Sequence, residues 1–218
     1  MMKFSSKEEW KKYCFNIHKA YLKNKYFRCW IREKRIDILN CAALKNNDLR
    51  SIKKSVENAL KLCGPGFKIS IANHSLHELG FAVKKRNLIG SRILGMVKKT
   101  RKNDKSCSAH IFLVNKRAMS DASLLKFGDA LTYVSDGVTI FTFDPSVKYP
   151  KKFFMAEIAH EIYHLLGLNA HHYDTQVEGY GKLSRCIMEY NAPSERLCRK
   201  CKDGLLSFWE GIRHATKN

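Results

Sequence analysis

The sequence predicts an α+β fold, with strands gathered in the middle of the chain and helices on either side. Three observations carry this. Apolar residues recur at helical spacing in the first sixty positions. Period-two alternation and short apolar runs fall between residues 67 and 143. A helical pattern resumes after Pro150. Strands collected between blocks of helices read as α+β or three layers, each burying one face against the next.

Ser6-Lys7-Glu8-Glu9 fits a capping box, in which the Ser hydroxyl and the Glu carboxylate satisfy free N–H groups at a helix start. Trp10, Cys14, Ile17 and Tyr21 then share one helical face. Residues 22–45 are basic and aromatic. A second helix is expected from Asp48 to Cys63, with Ile52, Val56, Ala59 and Leu60 on one face, stopped by Gly64-Pro65-Gly66. Phe67–Ile71 alternates like a half-buried strand. Ile111–Val114, Leu131–Val134 and Val138–Phe143 are further strand candidates, the last two parted by the turn residues Ser135-Asp136-Gly137. Domain organisation reads as a basic helical extension over residues 1–50 and a main domain over 51–218.

The chain has 218 residues, enough to bury a real core, and 44% hydrophobic residues, which argues against disorder. No apolar run approaches the roughly 20 residues of a membrane span. The N-terminus lacks the apolar segment of a signal peptide, so an intracellular, cytoplasmic protein is expected. Lys+Arg number 40 against 20 Asp+Glu, a net charge of +20. Such a charge favours attraction to polyanions without specifying a fold. The basic run at 84–105 and the basic segment at 22–35 could meet nucleic acid through salt-sensitive phosphate contacts, but no nucleic-acid motif accompanies them. In this setting the eight cysteines read as thiols and metal ligands rather than a disulfide framework. Cys14, Cys29, Cys41, Cys63 and Cys107 show no ligand spacing and read as buried thiols. His74 and His77 are an isolated pair.

The chemistry lies in the helix expected from Lys151 to about Leu166, between Pro150 and Gly167. It contains His160-Glu161-x-x-His164. Residues four apart share a helical face, so both imidazoles can reach one metal ion. Glu161 projects beside it, where it can take a proton from metal-bound water. Chance gives this motif in about two of a hundred such chains. Its weight therefore comes from the residues downstream of it: Gly167, the pair His171-His172, Cys186-Ile187-Met188 and Cys198-x-x-Cys201.

The run from His160 to Cys201 resembles the metzincin zinc peptidases, and among them most the archaemetzincins. Lys126-Phe127-Gly128-Asp129-Ala130 and the strand at 138–143 resemble the region before that family's active-site helix. The resemblance implies a metzincin-like domain with a twisted mixed sheet, backing helices and a C-terminal part, from about residue 168, pinned by a second zinc. It implies a catalytic zinc on His160, His164 and His171, with Met188 in a turn beneath it. It also implies a structural zinc on His172, Cys186, Cys198 and Cys201. Two departures stand out. The family spacing puts its third ligand at Ala170, so His171 requires a one-residue insertion. His172 stands where the family has cysteine, a substitution that zinc accepts. Asp174 is a fallback third ligand, and Glu178 or Glu189 would serve in a carboxylate-ligand class. Tyr190, two residues after Met188, resembles the tyrosine of the astacin and serralysin branches, which implies oxyanion stabilisation; an aromatic that merely packs is the alternative.

The activity this implies is zinc-dependent hydrolysis of peptide bonds, with Glu161 as general base and a peptide or protein as substrate. An edge strand near 127–133 would take the substrate in extended form. The alternative is a basic zinc-containing module that contacts nucleic acid or acidic partners and cleaves nothing.

Overall fold

A computed structural model describes residues 2–75, 95, 107–115, 130–143, 151–168, 171, 174–180, 186–189 and 196–217. The expectations for the basic run at 84–105, for Lys126–Asp129, and for His77, His172 and Tyr190 lie outside these residues.

Among the described residues the chain forms seven strands and five α-helices: β1 (Met2–Phe4), α1 (Lys7–Leu22), α2 (Lys25–Glu33), β2 (Arg35–Cys41), α3 (Asn46–Leu60), β3 (Lys68–Asn73), β4 (Ala109–Asn115), β5 (Ala130–Tyr133), β6 (Val138–Phe143), α4 (Lys151–Leu165), β7 (Thr175–Val177) and α5 (Arg199–Lys217). The main sheet has five strands in the order β3-β2-β4-β6-β5. The first four run parallel, and β5 pairs antiparallel with β6 at one edge, Thr132 opposite Thr139. The expected strands are all present, and the sheet is mixed. β6 is buried at every position and β4 at Ile111, Phe112, Leu113 and Val114, which fits their continuous apolar runs.

Residues 1–50 differ from the helical extension expected of them. Helix α1 starts as its sequence suggests, with Ser6 Oγ accepting from the Glu9 N–H at 3.1 Å. The Glu9 carboxylate turns instead to the Ser5 N–H, at 2.7 Å. After α2, however, Arg35–Cys41 is a strand bonded on both sides, to β3 and β4. Its Ile36 and Ile38 alternate into the core. The N-terminal helices also join that core. Phe27 and Trp30 of α2 meet Phe208 and Trp209 of α5 edge to face. Gly204 and Gly211 of α5 let α1 come close, because a methyl at either would overlap Trp10 or His18.

The cysteine reading needs one correction. Cys29 of α2 and Cys107, just before β4, form a disulfide. They lie 78 residues apart, so no local spacing announces the pair; the sheet brings the start of β4 against α2. Cys14 and Cys63 are buried thiols as expected, and Cys41 is half-buried. No helix among the described residues is long and apolar enough to cross a membrane.

Candidate metal centre

Helix α4 packs its apolar face on α3 and the sheet through Ile158, Ile162 and Leu165, all buried. The opposite face then presents His160, Glu161 and His164. Its end is fixed by backbone geometry. The Leu168 N–H bonds Tyr163 O at 3.0 Å and the Gly167 N–H bonds His164 O at 2.9 Å, the paired bonds of a Schellman cap. Gly167 holds φ +102°, a conformation that favours glycine, and a methyl there would overlap the Phe208 ring.

This cap also orients an imidazole. His164 Nδ1 lies 2.7 Å from Leu168 O, and His160 Nδ1 lies 2.6 Å from Ile187 O. A carbonyl only accepts, so each Nδ1 carries the proton and each Nε2 keeps its lone pair. The Nε2 atoms of His164 and His160 are 3.0 Å apart, and those of His164 and His171 are 3.3 Å apart. Nitrogens on a tetrahedral zinc at about 2.0–2.1 Å lie about 3.3 Å from one another. The three imidazoles therefore have the spacing of a zinc ligand set. Burial, helped by neighbouring His160, pushes the His164 imidazole down to about 4. His171 is lowered by burial and by the other two histidines. Both are neutral at pH 7, the form that binds metal.

His171 arrives from the loop after α4 and is half-buried. Asp174 Oδ2 stands 3.4 Å from its Nδ1, on the side of the ring away from Nε2. The grouped ligand atoms do not include Glu178 or Glu189. Glu161 is half-buried beside them, and its Oε2 accepts from Thr132 Oγ1 on β5 at 2.6 Å. The Thr132 and Thr139 hydroxyls are 3.1 Å apart. Nothing in the strand pattern marks Thr132, because an alternating strand promises packing, not a contact with a helix 29 residues on.

A second group of ligands forms below. Cys186, Cys198 and Cys201 are buried and outside any disulfide, and their sulfurs lie within 4.8 Å of one another. Hydrogen bonds with Cys186 and Cys201 lower the Cys198 thiol, while hydrogen bonds with Cys186 and Cys198 raise that of Cys201. Three close, buried sulfurs without a disulfide suit a soft-ligand metal site. The expected fourth ligand, His172, lies outside the described residues. Met188 is wholly buried in the turn between Cys186 and Glu189, and that turn supplies the Ile187 carbonyl that orients His160.

No family model matches the chain, and no curated protein matches it. Among solved structures, the crystal structure of archaemetzincin from Methanopyrus kandleri is similar, with a TM-score of 0.51 and 14% identity over 82% of this chain and 95% of that one. The chain thus has the fold of an archaemetzincin.

Proposed function

We propose that this chain is a zinc-dependent metallopeptidase. The observation that carries the reading is the convergence of three imidazoles with a carboxylate beside them, held by Thr132. His160, His164 and His171 would hold the ion, which leaves one position of a tetrahedral site free. When bound there, zinc acidifies water and polarises a carbonyl. The rest falls to protein groups. Glu161 accepts the proton of the attacking water and delivers it to the leaving amine. Thr132 fixes the carboxylate so that one oxygen faces the site. Strand β5, at the sheet edge, offers its backbone to an extended peptide. Tyr190 is the candidate donor to the oxyanion. A second zinc on Cys186, Cys198, Cys201 and His172 would be structural.

The test is cleavage of an unbiased peptide mixture by zinc-loaded protein, read by mass spectrometry, beside Glu161→Ala. Cleavage should vanish in the variant while its zinc content stays. Equal turnover by both proteins would sink the mechanism, and no cleavage by either would favour the binding-module alternative.

A further inference from the structure

Lys200 lies between two of the cysteines, on the first turn of α5, and is 0% exposed. A fully buried ammonium is costly unless its donors are met. Its Nζ donates to Thr175 O at 2.8 Å and to Thr175 Oγ1 at 2.9 Å. Thr175 follows Asp174, whose N–H bonds His171 O at 3.1 Å and whose carboxylate faces the His171 ring.

The N-terminal segment contacts the same residues. Strand β1 pairs parallel with β7, Met2 opposite Thr175 and Phe4 opposite Val177. The Glu178 N–H bonds Phe4 O at 3.1 Å. Trp10 Nε1 donates to the Lys200 carbonyl at 3.0 Å. Met2 and Trp10 also line a cavity of about 220 Å³ with Leu168 and Asp174.

We propose that Lys200 is a positioning residue: its ammonium, on the turn between Cys198 and Cys201, holds Thr175 and thereby Asp174, which bonds and faces His171. Strand β1 is the second jaw of that clamp. The third ligand lies outside helix α4, which carries the other two. Its position is set by the cysteine turn on one side and by the N-terminus on the other. The cysteine cluster and the histidine centre are therefore coupled through Lys200 and Thr175. This rests on the reading of the histidines as a zinc centre.

The test titrates cobalt(II) into full-length protein. Sulfur-to-cobalt charge transfer reports the cysteine cluster, and the separate visible bands of a nitrogen–oxygen site report the histidines. In Lys200→Met, affinity at the histidine centre should fall about 10- to 100-fold, the loss typical of an outer partner. The charge-transfer bands should keep their midpoint. Lys200→Arg should recover part of the loss. Thr175→Val removes one of the two acceptors, should show a smaller loss, and decides the matter if Lys200→Met does not fold. Unchanged histidine-centre affinity in a folded variant would overturn the proposal, as would equal losses at both centres. A wild-type chain without histidine-centre bands would overturn the zinc-centre reading beneath it.

Discussion

The two ligand groups of this chain contrast in access. The histidine centre combines two half-buried residues, His160 and His171, with buried His164, and Glu161 reaches it from the same helix. The cysteine cluster is shut away, with Cys186, Cys198 and Cys201 each at most 3% exposed. On the proposed function, a metal at the first would be within reach of a substrate, and one at the second would be enclosed by protein. The sulfurs stand in the closed group and the imidazole nitrogens in the open one, the division expected between structural and catalytic zinc. Site chemistry here depends on how each ligand is carried: a helix face opens toward solvent, and a turn packed under α5 does not.

The largest effect should come from breaking the closed group. Cys198→Ser should remove one metal equivalent and lower stability by about 4 kcal/mol, since metal binding at a site that forms only on folding contributes to folding stability. Metal analysis with thermal melting checks this. Loss of stability without loss of metal would argue that the cysteines merely pack.

Acid should act on the open group in metal-free protein. The folded His164 is lowered to about 4 from an ordinary value of 6.5. Between those values the unfolded chain binds the proton and the folded chain does not, so stability falls as the pH falls through that window. The loss should approach about 3 kcal/mol for this residue. Denaturant melts of metal-free protein at pH 7 and pH 4, with His164→Gln as reference, measure it; a reference that loses as much would assign the effect elsewhere.

The two regions meet at Gly167, where the end of α4 abuts Phe208 of α5. Gly167→Ala combines an unfavourable φ with overlap against that ring and should cost about 2–3 kcal/mol. Urea unfolding reads the cost. A smaller shift would mean that the Phe208 ring gives way.

Thr132→Val should produce the smallest change, about tenfold in turnover, because the carboxylate of Glu161 keeps its place on the helix but loses its orienting hydroxyl. Thr132→Ser should restore most of it. Equal activity in the Val and wild-type proteins would make Thr132 a packing residue.

Much of this was legible in the sequence where one signal governed. The apolar runs of β4 and β6, the helix between Pro150 and Gly167, and the face of α3 are periodic and well bounded. The histidine spacing and the CxxC pair marked residues that the fold does bring together. Strand β2 carried the alternation Ile36-Asp37-Ile38, but basic and aromatic neighbours masked a run this short. Strands β1 and β7 have three residues each and no period to detect. The Cys29–Cys107 disulfide and the contacts of Thr132 and Lys200 join distant segments, and only the folded arrangement brings them together. The sequence shows Lys200 as a spacer between cysteines and says nothing of Thr175.

If one metal centre works and the other holds, the two should part company under stepwise chelation. Zinc content, peptide cleavage and circular dichroism would be followed together as zinc is withdrawn from the loaded protein. The first zinc should leave from the histidines, and cleavage should disappear with it while the fold stays. The second should depart only as the chain unfolds. Cleavage that survives loss of the first zinc, or unfolding that accompanies it, would refute this division of labour.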